Sequence, residues 1–269
     1  MVQINENFTV SNGHNIRYLD SGEGFPLILV HGRDSLMSSE QWRLNMPALS
    51  EVAHVYSLDL LGYGKSDLPV TGYTFDTFVQ TIEGFLESLN IEKVDICGQS
   101  AGGWFAALFA WKHPERVRNL ILVGNAGANL KGPPAATEWT PPEKDFIKER
   151  FAWAWADNVE VTENMVEEAY ELARRPGRGE AYLSLIQATH DIVEREKYLL
   201  LDKLQDVHAP TLIIWGSNPS AIGLEHAYSQ HEILPNSELI VVEDGGHSVQ
   251  GIKPREFEKI VTKFLQENP

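Results

Sequence analysis

Ser100 stands in Gly98-Gln99-Ser100-Ala101-Gly102, after the run Val94-Asp95-Ile96-Cys97 and before Gly103-Trp104-Phe105-Ala106-Ala107-Leu108-Phe109. The spacing predicts a strand, a tight turn and a helix, with the serine at the apex. Gly98 and Gly102 leave room for a turn sharp enough to strain the Ser100 backbone and lift its hydroxyl clear of the sheet. The helix that follows aims its N-terminal amides at the same spot, where negative charge is favoured. Such a hydroxyl becomes a nucleophile once a base removes its proton. His247, in Asp244-Gly245-Gly246-His247-Ser248, lies past the last predicted strand and before the terminal helix, and is the candidate base. It would take the Ser100 proton during attack and return it to the leaving group. A developing oxyanion needs donors already in place. The backbone amide of Ala101 is one; the amide of Arg33, in His31-Gly32-Arg33-Asp34, is the other. His31 is read as shaping that loop.

These groups need a scaffold, and the chain supplies an alternating one. Phe8–Val10 and Ile16–Leu19 flank Asn12-Gly13, a hairpin signal. Short apolar runs at Pro26–Val30, Val55–Leu60, Val94–Cys97, Leu120–Val123, Thr211–Trp215 and Leu239–Val242 read as buried strands. Helical spacing marks Thr74–Leu89 and a final helix over Pro254–Leu265. Strands alternating with helices imply an α/β protein with a largely parallel sheet, whose ligands sit at the carboxyl ends of the strands. The alternation breaks between residues 128 and 207, where the pattern is helical throughout. Helices are expected near Glu143–Trp155, Thr162–Ala173, Gly179–His190 and Glu194–Leu200. The division is therefore a core of residues 1–127 and 208–269 with a helical lid at 128–207. The lid's many aromatic residues form its own small core, and a few of them give an apolar, ring-friendly pocket.

Composition narrows the function. With 22 basic and 38 acidic residues the net charge is −16, which argues against nucleic acid or an anionic membrane as partner. No apolar stretch approaches the ~18 residues a membrane span needs, and the first residues lack a signal-peptide pattern. The one cysteine, Cys97, excludes an internal disulfide and suits a cytoplasmic protein. No residue cluster has metal-ligand spacing, and no cofactor is expected. Gly62-Tyr63-Gly64-Lys65-Ser66 imitates the end of a phosphate loop, but Asp59 occupies the position where that motif needs its first glycine. A small molecule is the expected partner. Quaternary state is left open, a homodimer among the alternatives.

Together these residues resemble the α/β-hydrolase superfamily over essentially the whole chain, and within it the lidded carbon–carbon hydrolases of meta-cleavage products. The features that carry the likeness are NIRYLDSGEGFPLILVHG, DLLGYGKSD, ICGQSAGGWFAALFAWKHPERVRNLILVGNAG and APTLIIWG, with the four-helix lid. The resemblance implies the α/β-hydrolase fold, a mostly parallel eight-stranded sheet with an inserted lid. It also implies a cofactor-free serine hydrolase acting on an ester or a ketone-adjacent carbon–carbon bond in a small, apolar substrate that bears a ring. In that family a lid arginine two residues before a proline contacts the substrate's acid end; Arg174 with Pro176 is its counterpart here, the alternative being a solvated charge at a helix end. Gln99 and Asp34 join Arg174 as substrate-binding candidates.

The chain departs from the family where its third catalytic group should be. The acid usually follows the strand in a W-G-x-x-D pattern, but here Trp215-Gly216-Ser217-Asn218-Pro219 puts Pro219 at that position and Asn218 beside it. The fold's other acid position offers Asn125. An amide there can hold the wrong imidazole tautomer, at a cost of order 10⁴-fold in the serine-protease case. Three outcomes stay open: a Ser-His dyad, a carboxylate borrowed from Asp34, Glu243 or Asp244, or weakened hydrolysis. The last would suit a lyase, an isomerase or a ligand-binding protein on the same fold. Arg33-Asp34 and Ser248 replace the glycines and tryptophan usual in the family. Arg33 and Asp34 are expected to pair with each other in preference to binding a polar substrate group.

Overall fold

The structure is a computed structural model and describes residues 2–130, 135–218, 220 and 222–269. Among the described residues an eight-stranded sheet runs in the order β1-β2-β4-β3-β5-β6-β7-β8. Its strands are β1 (Asn5–Ser11), β2 (His14–Ser21), β3 (Pro26–Val30), β4 (His54–Leu58), β5 (Val94–Gln99), β6 (Val117–Val123), β7 (Thr211–Gly216) and β8 (Ser237–Val242). The β1–β2 and β2–β4 pairings are antiparallel and the rest are parallel. The β1–β2 hairpin turns on Asn12 (φ 49°) and Gly13 (φ 81°), both in the left-handed region that a two-residue type I′ turn requires.

Helices cover both faces. They are α1 (Met46–Leu49), α2 (Phe75–Ser88), α3 (Ala101–Lys112), α4 (Lys144–Trp155), α5 (Glu163–Ala173), α6 (Arg178–His190), α7 (Ile192–Lys197), α8 (Glu225–Ile233), α9 (Val249–Ile252) and α10 (Pro254–Glu267). Alternation along the central strands divides the core in two. Ile28, Val30, Leu120, Leu122, Ile213 and Trp215 face the layer that holds α2 and α3. Leu27, Leu29, Ile121, Val123, Leu212 and Ile214 face the layer that holds α10. Thr74 and Thr77 start α2 with reciprocal side-chain-to-backbone bonds of 3.1 and 3.2 Å. The first ten residues of α3 are all buried, which fits a helix that is apolar on every side.

The insert between β6 and β7 carries α4 to α7, and each expected lid helix is found within a few residues of its predicted limits. Polar side chains tie it to the core. Asn158 donates to the Gly251 carbonyl at 2.9 Å, Arg175 to that of Gly64 at 2.6 Å, and Trp104 of α3 to that of Tyr198 at 2.8 Å.

Candidate active site

Ser100 sits between β5 and α3 with φ 54° and ψ −121°, a conformation that costs an L-residue of order 1–3 kcal/mol. The turn is closed by contact. A Cβ on Gly98 would run into the Gly102 carbonyl, and one on Gly102 would strike the carbonyls of Val30 and His31. The Ser100 amide donates to the Val123 carbonyl at 3.0 Å, and the Ser100 carbonyl accepts from Ala126 at 2.9 Å. The apex is thereby fastened to the end of β6.

The loop after β3 lies alongside: a Cβ on Gly32 would be 3.4 Å from Ser100 Cβ. His31 is fully buried and shapes this loop as expected. Its Nδ1 donates to the Gly32 carbonyl at 2.7 Å, and its Nε2 accepts from the Leu60 amide at 3.1 Å. The Gly32 amide is taken by Gln41 Oε1 at 2.9 Å. That leaves the amides of Arg33 and Ala101 without a protein acceptor among the described residues.

His247 arrives from the loop after β8. Its ring packs on Gly124, where a Cβ would lie 3.4 Å from Nδ1, and Gly124 follows the residue that anchors Ser100. Gln99 reaches across as well, donating Nε2 to the His247 carbonyl at 3.1 Å and accepting from Gln41 Nε2 at 3.0 Å. Burial, with a smaller contribution from the charge of Arg150, pushes the imidazole down to about 4 from its ordinary 6.5. The ring is therefore neutral at physiological pH.

Among the described residues no carboxylate bonds that ring. His247 Nδ1 is buried and has no hydrogen-bond partner among the described residues. Asn218 instead bonds the neighbouring loop, to the carbonyls of Asp244 at 3.2 Å and Gly245 at 2.8 Å. Asn125 gives its amide to Gln230 Oε1 at 2.6 Å. Glu243 and Asp244 point to solvent, and Asp34 pairs with Arg150 of α4 at 2.6 Å. Pro219 lies outside the described residues.

Three substrate-binding expectations are revised. Arg174 does not reach the serine: its guanidinium bonds the Pro142 carbonyl at 2.9 Å and Glu143 at 2.8 Å, and lies over the Tyr170 ring. Gln99 has both ends of its amide occupied by protein, so it positions loops and does not face a ligand. Asp34 and Arg33 do not pair with each other. Arg33 crosses to α6, donating to Thr189 Oγ1 at 2.6 Å and lying against His190. Gln41 and Arg150 were missed. Neither carries a motif, and both act on groups far away in sequence.

A cavity of about 430 Å³ opens between α4, α5 and the loop after β3; Ser100 and His247 do not line it, and Ser248 is the lining residue next to His247 in the chain. Phe151, Trp155 and Leu172 wall its side on the insert, and Leu36 and Met37 its core side. It is mostly apolar, as small-molecule pockets are.

Residues 26–171 match the family profile described as alpha/beta hydrolase fold, and the chain belongs to that family. Within it the chain groups with the hydrolases of meta-cleavage products. It is 31% identical over 260 residues to the 2-hydroxymuconate semialdehyde hydrolase of Pseudomonas sp. (strain CF600), covering 92% of this chain and 89% of the relative. It is 30% identical to the 2-hydroxy-6-oxo-2,4-heptadienoate hydrolase of a Pseudomonas putida strain, covering 91% of each. Among solved structures, the meta-cleavage product hydrolase from Pseudomonas fluorescens IP01 aligns with a TM-score of 0.82 at 27% identity, covering 98% of both chains. The chain is thus a hydrolase by family and by fold.

Proposed function

We propose that the protein is a Ser100-nucleophile hydrolase that cleaves a carbon–carbon bond next to a ketone in a small 6-oxo-dienoate, with esters as simpler substrates. His247 Nε2 takes the serine proton as Oγ adds to the ketone carbonyl. The amides of Arg33 and Ala101 receive the oxyanion. Collapse of the adduct breaks the bond to the leaving carbon, which is protonated from His247, and water then frees the acyl group from Ser100. The observation that carries this reading is the strained Ser100 turn, with the amides of Arg33 and Ala101 lacking a protein acceptor among the described residues. The relatives' names supply the substrate type, and the apolar cavity suits a ring-bearing substituent.

The unpartnered Nδ1 of His247 favours a second reading. Without a carboxylate the imidazolium has no counter-ion, so the same pair could serve proton transfer in a lyase or isomerase. It could equally be left over in a ligand-binding protein.

A fluorophosphonate probe with a vinylogous diketo acid as substrate separates the two. Labelling at Ser100 and turnover that vanishes in Ser100→Ala support hydrolysis. Full activity in Ser100→Ala removes the mechanism, and tight ligand binding without labelling supports the second reading.

A further inference from the structure

We propose that Gln41 is a positioning residue that couples the cavity to the chemistry. An uncharged ring seated between α4, α5 and the loop after β3 fixes Gln41, and through it both the oxyanion amide and the base. The proposal rests on the reading of Ser100 as the reacting centre. It makes the ring-bearing substituent of the ketone the occupant, and gives that substituent a part in turnover as well as in binding.

Gln41 belongs to two places at once. It is buried, and it is one of the residues that line the cavity. Its amide is spent on the catalytic side. Oε1 accepts from the Gly32 amide at 2.9 Å, one residue before the Arg33 amide assigned to the oxyanion. Nε2 donates to Gln99 Oε1 at 3.0 Å, and Gln99 Nε2 in turn donates to the His247 carbonyl at 3.1 Å. Gly32 also closes the gap to the serine, since a Cβ on it would lie 3.4 Å from Ser100 Cβ and 2.5 Å from Gln99 Oε1. A second wall residue, Ser248, follows His247 in the chain. The cavity therefore adjoins the loops of the oxyanion donor and the base, although neither Ser100 nor His247 lines it.

The walls decide what sits there. Leu36, Met37, Phe151, Trp155 and Leu172 supply apolar and aromatic surface. The charged side chains beside them are bonded within the protein: Arg17 and Arg43 to Glu40 at 2.6 and 3.1 Å, Lys65 to Glu168 at 2.7 Å, and Arg178 to the Ser35 carbonyl at 2.8 Å. Such a wall suits an uncharged guest, and the volume of about 430 Å³ lies in the range of small-molecule sites. A ring in this space packs on the stem of Gln41 and removes the rotamers that would break its two bonds. Ordering a long side chain such as glutamine is costly in entropy. Contact with the ring meets that cost from a part of the substrate that does not react, and remote binding energy of this kind appears in kcat.

The test pairs the 6-phenyl and 6-methyl members of the 2-hydroxy-6-oxo-dienoate series, which differ only in the group on the reacting carbon. Comparing their ratio between variants cancels the intrinsic reactivity of each ketone. In Gln41→Met the phenyl-to-methyl ratio of kcat should fall about 10-fold below that of wild type, while the ratio of KM stays within about 2-fold. Leu172→Trp and Met37→Trp fill the cavity from opposite walls, and each should lower the phenyl-to-methyl ratio of kcat/KM about 10-fold. An unchanged kcat ratio in Gln41→Met overturns the coupling, and an unchanged kcat/KM ratio in both tryptophan variants removes the ring from the cavity. A readout without turnover keeps this inference apart from the hydrolase reading. Saturating acetophenone should slow hydrogen exchange at the Gly32 amide about 10-fold in Ser100→Ala, and leave it unchanged once Leu172→Trp is added. That protection in a protein that hydrolyses neither ketone would keep the coupling and discard the hydrolase reading. Hydrolysis of both ketones without the protection would do the reverse.

Discussion

Gln99 donates its side-chain amide to the main-chain carbonyl of His247 at 3.1 Å, so the residue beside the serine holds the loop that carries the imidazole. Its oxygen is held by Gln41, whose own oxygen holds the Gly32 amide. Two glutamines thus join the three loops of the site. With no partner for Nδ1 among the described residues, the ring is placed from its backbone side.

Gln99→Met keeps the length of the side chain and removes both bonds. Turnover should fall about 10- to 100-fold with KM within a few-fold of wild type, since the change misplaces the base and leaves bound substrate alone. Stability should drop by about 1–3 kcal/mol for the orphaned Gln41 amide. Steady-state kinetics and urea unfolding check both, and an unchanged kcat would remove Gln99 from the positioning role.

At position 100 the backbone strain can be separated from the chemistry. Ser100→Ala and Ser100→Gly should both be inactive, but glycine occupies φ 54°, ψ −121° at little cost. The glycine variant should therefore unfold later than the alanine variant, by about 1 kcal/mol in chemical denaturation. The reverse order would mean that the turn stores no strain.

The depressed histidine sets two pH dependences. Neutral His247 is the active base, so the acid limb of kcat/KM should fall near pH 4, below the 6.5 of an ordinary imidazole. As pH drops from 6.5 towards 4 the unfolded chain binds a proton that the folded chain refuses, so this group lowers stability on acidification and not above pH 6.5. An acid limb at 6.5 would contradict both.

Arg150→Met removes the positive charge that helps depress His247, so the acid limb should move upward. The ion pair it breaks with Asp34 is about a quarter exposed on each side, and its loss should cost no more than about 1 kcal/mol. A pH–rate profile identical to wild type would rule out the coupling between lid charge and base.

Asn218→Asp tests whether the expected acid position has any link to the base. The Asn218 amide faces the Asp244 carbonyl at 3.2 Å, so a carboxylate there would repel that carbonyl and miss His247. Turnover should change by less than about 2-fold, with roughly 1 kcal/mol of stability lost. A large rise in kcat would show that the side chain can swing to Nδ1.

The scaffold was legible because its signals are local. Apolar runs of five or six residues gave the central strands, and Gly98 and Gly102 gave the turn, since close backbone contact needs glycine there whatever else surrounds it. The lid helices followed from spacing alone. The side-chain partners were not legible in the same way. Asp34 and Arg33 are neighbours in the chain, and pairing was the natural expectation, but each crosses to a different lid helix, Asp34 to Arg150 and Arg33 to Thr189. Arg174 had a motif to recommend it, yet Glu143 and the Tyr170 ring hold it. Gln41 belongs to no pattern, because its importance comes from what it touches.

Helix α3 is apolar on every side, and its first ten residues are buried. The inserted helix α6 is rooted in the same core, through Ala181, Leu185 and Ile186. Roof and floor of the pocket should therefore give way in a single melt, with no temperature at which α6 has come loose over a serine still set in its turn.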